Sequence, residues 1–181
     1  MQKITRLSLL GLALAALAVT TPSALGGDMK PYRGWVMFPP TGAPAFQDGV
    51  NIFECWDNLG GRAIRVAQTT WDLPYPDGDT WIVTVHQQGT FTYADGAQLL
   101  DDSTETLVFD ATFQLLGLSM EGTITGGTGR FEGASGWVSG EMWFEEPIDL
   151  ATVEPFRAAI EGQVSTVGSL QRAEPAIPPT D

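Results

Sequence analysis

The stretch Trp81-Ile-Val-Thr-Val-His-Gln-Gln-Gly-Thr-Phe-Thr-Tyr93 decides how the rest of the chain is read. Trp81, Val83, Val85, Phe91 and Tyr93 share one face of an extended segment, and Thr84, His86, Gln88, Thr90 and Thr92 share the other. That period of two is the signature of a strand with one face in a core and one in polar surroundings. Asp95-Gly96 follows as a tight turn. Residues 104–116 repeat the pattern, with Leu107, Phe109, Ala111, Phe113 and Leu115 opposite Thr106, Asp110, Thr112 and Gln114. Further strands are expected at 120–125, 130–136, 137–144 and 156–167.

Upstream, 50–56 and 63–70 read as two strands around the turn Asn58-Leu59-Gly60-Gly61, and Pro74-Tyr-Pro-Asp-Gly-Asp79 reads as a loop. No stretch carries a sustained helical period, although 148–159 has room for a turn or two. Evenly sized strands between Gly and Asp turns predict an all-β, antiparallel barrel or sandwich. Glycine recurs at 122, 126, 127, 129, 133, 136 and 140, and glycine within strands marks bulges or close backbone approach. A closed barrel needs such corners more than an open sandwich does.

The chain ends read differently. Lys3 and Arg6 precede an apolar run from Leu7 to Val19, which is short for a membrane span and ends near the small-residue site Ala24-Leu25-Gly26. Residues 1–26 are therefore expected to be a cleaved signal peptide, with no membrane insertion afterwards. Residues 27–48 read as a Gly/Pro-rich arm holding one strand at 34–38, 49–169 as the barrel, and 170–181 as a Pro-rich tail. Export implies a periplasmic or extracellular location. The 181 residues carry 22 acids against 9 bases, a formal charge of −13. Such a balance disfavours nucleic acid and anionic lipid, both of which require clustered Lys and Arg. Cys55 is the sole cysteine, so no internal disulfide forms, and a small buried hydrophobe is the expected reading.

The segment Gly122-Thr-Ile-Thr-Gly-Gly-Thr-Gly-Arg-Phe-Glu-Gly-Ala-Ser-Gly136 resembles a signature of exported bacterial proteins of the allene oxide cyclase-like barrel group, which is related to plant dirigent proteins. Gly126, Gly127 and Gly129 permit positive φ in a tight hairpin, after which Phe131 returns into the core. The hairpin 89–96 and the closing strand 156–167 extend the resemblance over 81–167. It implies an eight-stranded closed barrel with an apolar lumen, and the group includes cyclases and proteins that guide radical coupling. No catalytic residue of those relatives matches a position here, so none is carried over.

Candidate site residues follow from chemistry and faces. His86 is the sole histidine, which removes multi-histidine metal sites and leaves one imidazole on a polar strand face. A Cys55–His86 pair oriented by Asp57 or Asp72 has no supporting spacing. Asp110 and Glu121 lie in apolar-rich strand regions, where desolvation raises a carboxyl pKa toward acid–base use. The acidic groups Asp77/Asp79, Asp101/Asp102 and Glu141/Glu145/Glu146/Asp149 lack calcium-loop spacing, and Gly126-Gly-Thr-Gly129 lacks the lysine and helix of a phosphate loop, so neither metal nor cofactor is expected. Trp137 and Trp143 share a face with Ser139 and Glu141, the candidate lining of a ligand-binding lumen or pocket.

The functional expectation is an exported barrel that binds a small hydrophobic ligand or acts as an interaction domain, with a homo-oligomer among the expected assemblies. The alternative is a cyclase or isomerase enclosing an apolar substrate in the lumen beside Asp110, Glu121 or His86. A lumen filled solidly by side chains would remove both readings and leave a structural or surface-protein role in the lead.

Overall fold

The computed structural model describes residues 29–42 and 47–165; the expected signal segment 1–26 and tail 170–181 lie outside the described residues. The strands are β1 (Met29–Phe38), β2 (Thr41–Gly42), β3 (Gly49–Asp57), β4 (Gly61–Trp71), β5 (Tyr75–Asp77), β6 (Thr80–Tyr93), β7 (Gln98–Phe109), β8 (Leu115–Thr128), β9 (Ser135–Ile148) and β10 (Phe156–Ser165). Eight of them form a closed antiparallel barrel in the order β1-β10-β9-β8-β7-β6-β4-β3, and pairing of β1 with β3 at Trp35↔Trp56 shuts the ring. Short β2 pairs with β3 and short β5 with β6.

β6 confirms the alternation that decided the fold: Val83, Val85, Phe91 and Tyr93 are buried, and Thr84, His86, Gln88, Thr90 and Thr92 face outward. The expected loop 74–79 holds the short strand β5, which pairs with β6, and three boundaries differ further from expectation. The strand in 27–48 is longer than 34–38, and its full length pairs with β10, so this stretch builds the barrel wall. Residues 104–116 are two strands, because Asp110 Oδ1 accepts the amides of Thr112 and Gln114 at 2.8 and 2.9 Å and turns the chain there. Residues 130–136 are a turn of 3-10 helix at Gly129–Phe131 and its exit; Phe131 still packs into the core, 2% exposed.

Two apolar clusters fill the ends of the barrel. One gathers Tyr32, Phe53, Phe91, Leu99, Ile124 and Phe131, and the other Phe38, Val83, Leu107, Phe109 and Leu115 among others. Each fully buried leucine contributes about 2 kcal/mol. Glycine lets the strands coil this tightly: a β-carbon on Gly140 would lie 2.5 Å from the Ala159 carbonyl oxygen of the neighbouring strand.

Candidate functional site

Between the two apolar clusters the lumen holds a polar layer. Arg65, 3% exposed, donates from Nε and Nη2 to the two carboxylate oxygens of Asp101 at 3.1 and 2.6 Å, and from Nη2 to Ser103 Oγ at 3.0 Å. Its Nη1 donates to Gln87 Oε1, and the guanidinium lies 5.1 Å from the Phe53 ring centroid and 5.5 Å from that of Phe91. Gly89 makes room, since a β-carbon there would meet Arg65 Nε at 2.5 Å. Glu105 adjoins this group. Burial pushes its carboxyl up to about 7, against the pull of Arg65 and a hydrogen bond with Gln87, while Asp101 adds to the rise.

A second buried carboxylate organises one end. Asp57 Oδ1 accepts the amides of Leu59 and Gly60 at 2.9 and 2.7 Å, and Oδ2 accepts the Tyr32 and Tyr93 hydroxyls. Burial, reinforced by Asp57, pushes both phenols above their ordinary range. Cys55 is 1% exposed, and burial pushes its thiol up to about 12, so it is an unreactive thiol filling core space.

Beside Glu105 the packing leaves little room. The void that Glu105 lines with Gly140, Met120 and Ile160 measures about 10 Å3, the space of a single water, whereas small-molecule pockets occupy about 300–1,000 Å3.

Two larger spaces among the described residues lie outside. A groove of about 840 Å3 crosses the outer face of β7, β8 and β9, and a second of about 660 Å3 adjoins it toward β10 and β1, sharing Glu121 and Ser139. Strand register sets out its rows. His86, Thr104, Glu121, Ser139 and Glu161 stand side by side across β6 to β10; Gln88, Asp102, Thr123, Trp137 and Gln163 form the next row. In the other direction come Thr106, Ser119 and Glu141, then Val108, Gly117 and Trp143.

Trp137 and Trp143 are 48% and 60% exposed, and the second is held in place. A β-carbon on Gly117 would lie 2.5 Å from Cε3 of Trp143, so the indole lies against bare backbone, and its Nε1–H is donated to Glu141. Among the described residues, Asp102, Glu121 and Glu141 make none of the ion pairs found, which join Arg62–Glu54, Arg65–Asp101, His86–Asp72 and Arg130–Asp95.

The structure thus brings Trp137, Ser139, Glu141, Trp143 and Glu121 together, but on the outer wall and not in the lumen. Alternation correctly put the first four on one face and carried no information on which side that face lies. His86 sits at the edge of this wall, 3.4 Å from Thr104 and from Asp72, and is exposed. Asp110 stands apart in its turn, where hydrogen bonds from Gln114 and Thr112 hold its carboxyl below the ordinary range. Asp102 and Thr123 join the groove only through register. Of the buried Arg65–Asp101–Glu105 group, the sequence reading names only Asp101, as an acidic pair with Asp102, because polar residues at inward strand positions look like surface until their partners are known.

A second exposed surface lies on β3 and β4, where Val50, Ile52, Trp56, Ile64 and Val66 are 38–46% exposed. They are interleaved with Glu54, Arg62 and Gln68 on the same two strands. No protein-family model, curated protein or solved structure matches the chain.

Proposed function

We propose that the protein is a non-catalytic interaction domain, an exported barrel that presents the outer wall of β7–β9 to a partner. The observation that carries this reading is the contrast in free space: about 10 Å3 beside Glu105 inside and about 840 Å3 in the groove outside. A small hydrophobic ligand or a cyclase substrate requires a chamber, and the raised carboxyl of Glu105, the group best placed for proton transfer, faces side chains. The wall carries what a recognition surface needs, namely a tryptophan held against backbone, exposed carboxylates and hydroxyls on rigid strands.

The glycine-rich segment 122–136 supports grouping the scaffold with allene oxide cyclase-like and dirigent-like barrels, and the apolar run behind Lys3 and Arg6 supports export by a cleaved signal peptide. Native mass spectrometry of protein purified from its host tests the reading, with the bare processed chain expected. One apolar molecule retained per chain would overturn it in favour of lumen binding. Photo-crosslinking from Thr123 in the host is expected to give a discrete adduct that a crosslinker at exposed Asp79, in the turn between β5 and β6, does not give.

A further inference from the structure

Resting on that reading of the outer wall, we infer that the groove over β7–β9 takes an extended, arginine-bearing peptide segment of a partner protein. Charge is the first argument. Among the described residues, Asp102 and Glu121 line the larger groove with no Lys or Arg in its lining, Glu141 lines the adjoining one, and the cation lining that one is Arg33 at the far margin on β1. A partner that covers these carboxylates removes them from water, which is unfavourable unless it brings donors of opposite charge. The chain is itself strongly acidic at −13, so a second copy brings the wrong sign to this wall.

Spacing is the second argument. Trp137, Ser139 and Glu141 line the two grooves and Trp143 follows beyond them on the same strand; as alternate residues their backbone positions repeat about every 6.6 Å, and those of the two tryptophans lie about 20 Å apart. An extended peptide laid along β9 presents every second side chain to the wall at the same pitch. Guanidinium groups at both ends of such a segment stack on Trp137 and Trp143, and those between reach Glu141 and Glu121, with small Ser139 leaving clearance. A planar guanidinium suits both partners, stacking on indole and bonding a carboxylate in a fork. The same pairing occurs within this molecule, where Arg157 lies 4.4 Å from the Trp35 ring centroid on the neighbouring outer face.

The test titrates the purified protein with a decapeptide of alternating arginine and serine, read by indole fluorescence and calorimetry. One peptide per chain is expected, with affinity falling as salt is raised and with the lysine–serine peptide weaker. Trp137→Ala and Trp143→Ala should each weaken binding about tenfold. The double change Glu121→Gln/Glu141→Gln should weaken it at least as much, while Asp77→Asn/Asp79→Asn, which removes the same charge from another part of the surface, should change it less than about twofold. Equal losses in the two double variants would reduce the effect to general attraction and overturn the inference. Tryptophan-dependent binding of a neutral cello-oligosaccharide in place of the peptide, or self-association lost on Trp143→Ala, would overturn it too while keeping the outer wall as the binding face. No tryptophan-dependent binding by any probe, together with a retained apolar molecule in native mass spectrometry, would remove the interaction reading itself.

Discussion

The lumen and the outer wall are built from the same residue types and put them to opposite use. Inside, Arg65, Asp101, Gln87 and Ser103 bond one another, and the surrounding aromatic rings exclude water. Outside, Asp102 and Glu121 stand in solvent beside an exposed indole. A buried charge is committed to its partner, because leaving that partner unpaired in a low-dielectric interior is costly. An exposed charge keeps its water and remains available to another molecule. Polar groups in this barrel therefore divide into those that specify the fold and those free to recognise, and burial draws the line.

Removing one member of the inner layer should have the largest effect. Arg65→Met leaves Asp101 without its cation and is expected to cost about 3–5 kcal/mol in urea unfolding, enough to unfold much of the population at 37 °C. If Asp101→Leu on that background restores stability, the layer contributes specificity more than net energy.

Glu105 ranks next and gives the lumen a pH dependence. Its folded pKa of about 7 exceeds the unfolded value of 4.5, so the folded state holds the proton more tightly. The resulting stabilisation is fully present below pH 4.5 and is lost as pH rises through 7, a difference of about 3 kcal/mol. Glu105→Gln should flatten thermal stability between pH 5 and 8 and leave this variant the more stable protein at pH 8. An unchanged pH profile would show that water reaches Glu105 and that the lumen is less dry than the packing indicates.

Gly117→Ala probes the wall. Its β-carbon would lie 2.5 Å from Cε3 of Trp143 and 2.9 Å from the Met142 carbonyl oxygen, so ring and strand must both shift, at a cost of about 1–3 kcal/mol. A blue-to-red shift of tryptophan emission without unfolding is expected. Trp143→Ala should have the smallest effect on stability, within about 0.5 kcal/mol, because its ring is largely in solvent. A loss near that of Arg65→Met would mean that Trp143 is a structural residue and erase the distinction between the two regions.

Legibility followed the same division. β6 was readable residue by residue because its apolar positions point inward and its threonines outward. β4 reverses that rule: Ala63, Arg65, Ala67 and Thr69 point inward, and Ile64 and Val66 face out. Hydrophobicity along β4 cannot reveal this, since the inward choice is made by Asp101 and Gln87 on β7 and β6. At Asp110 the alternation of apolar residues continues through a turn, so the side chain that caps the turn reads from sequence as one within a strand. Trp137, Ser139, Glu141 and Trp143 were assembled correctly as one face because alternation is local. Their neighbours Asp102, Glu121 and Thr123 required the pairing of three strands.

The sequence alone determined an all-β chain of even strands, glycine where strands crowd, and a strongly acidic balance, all of which depend on local pattern or composition. Tertiary structure decided closure through β1 and β3, the inward turn of Arg65, and the outward turn of the two tryptophans. Those outcomes depend on which strand lies beside which, and on whether a charged group finds its partner within the barrel or is left facing water.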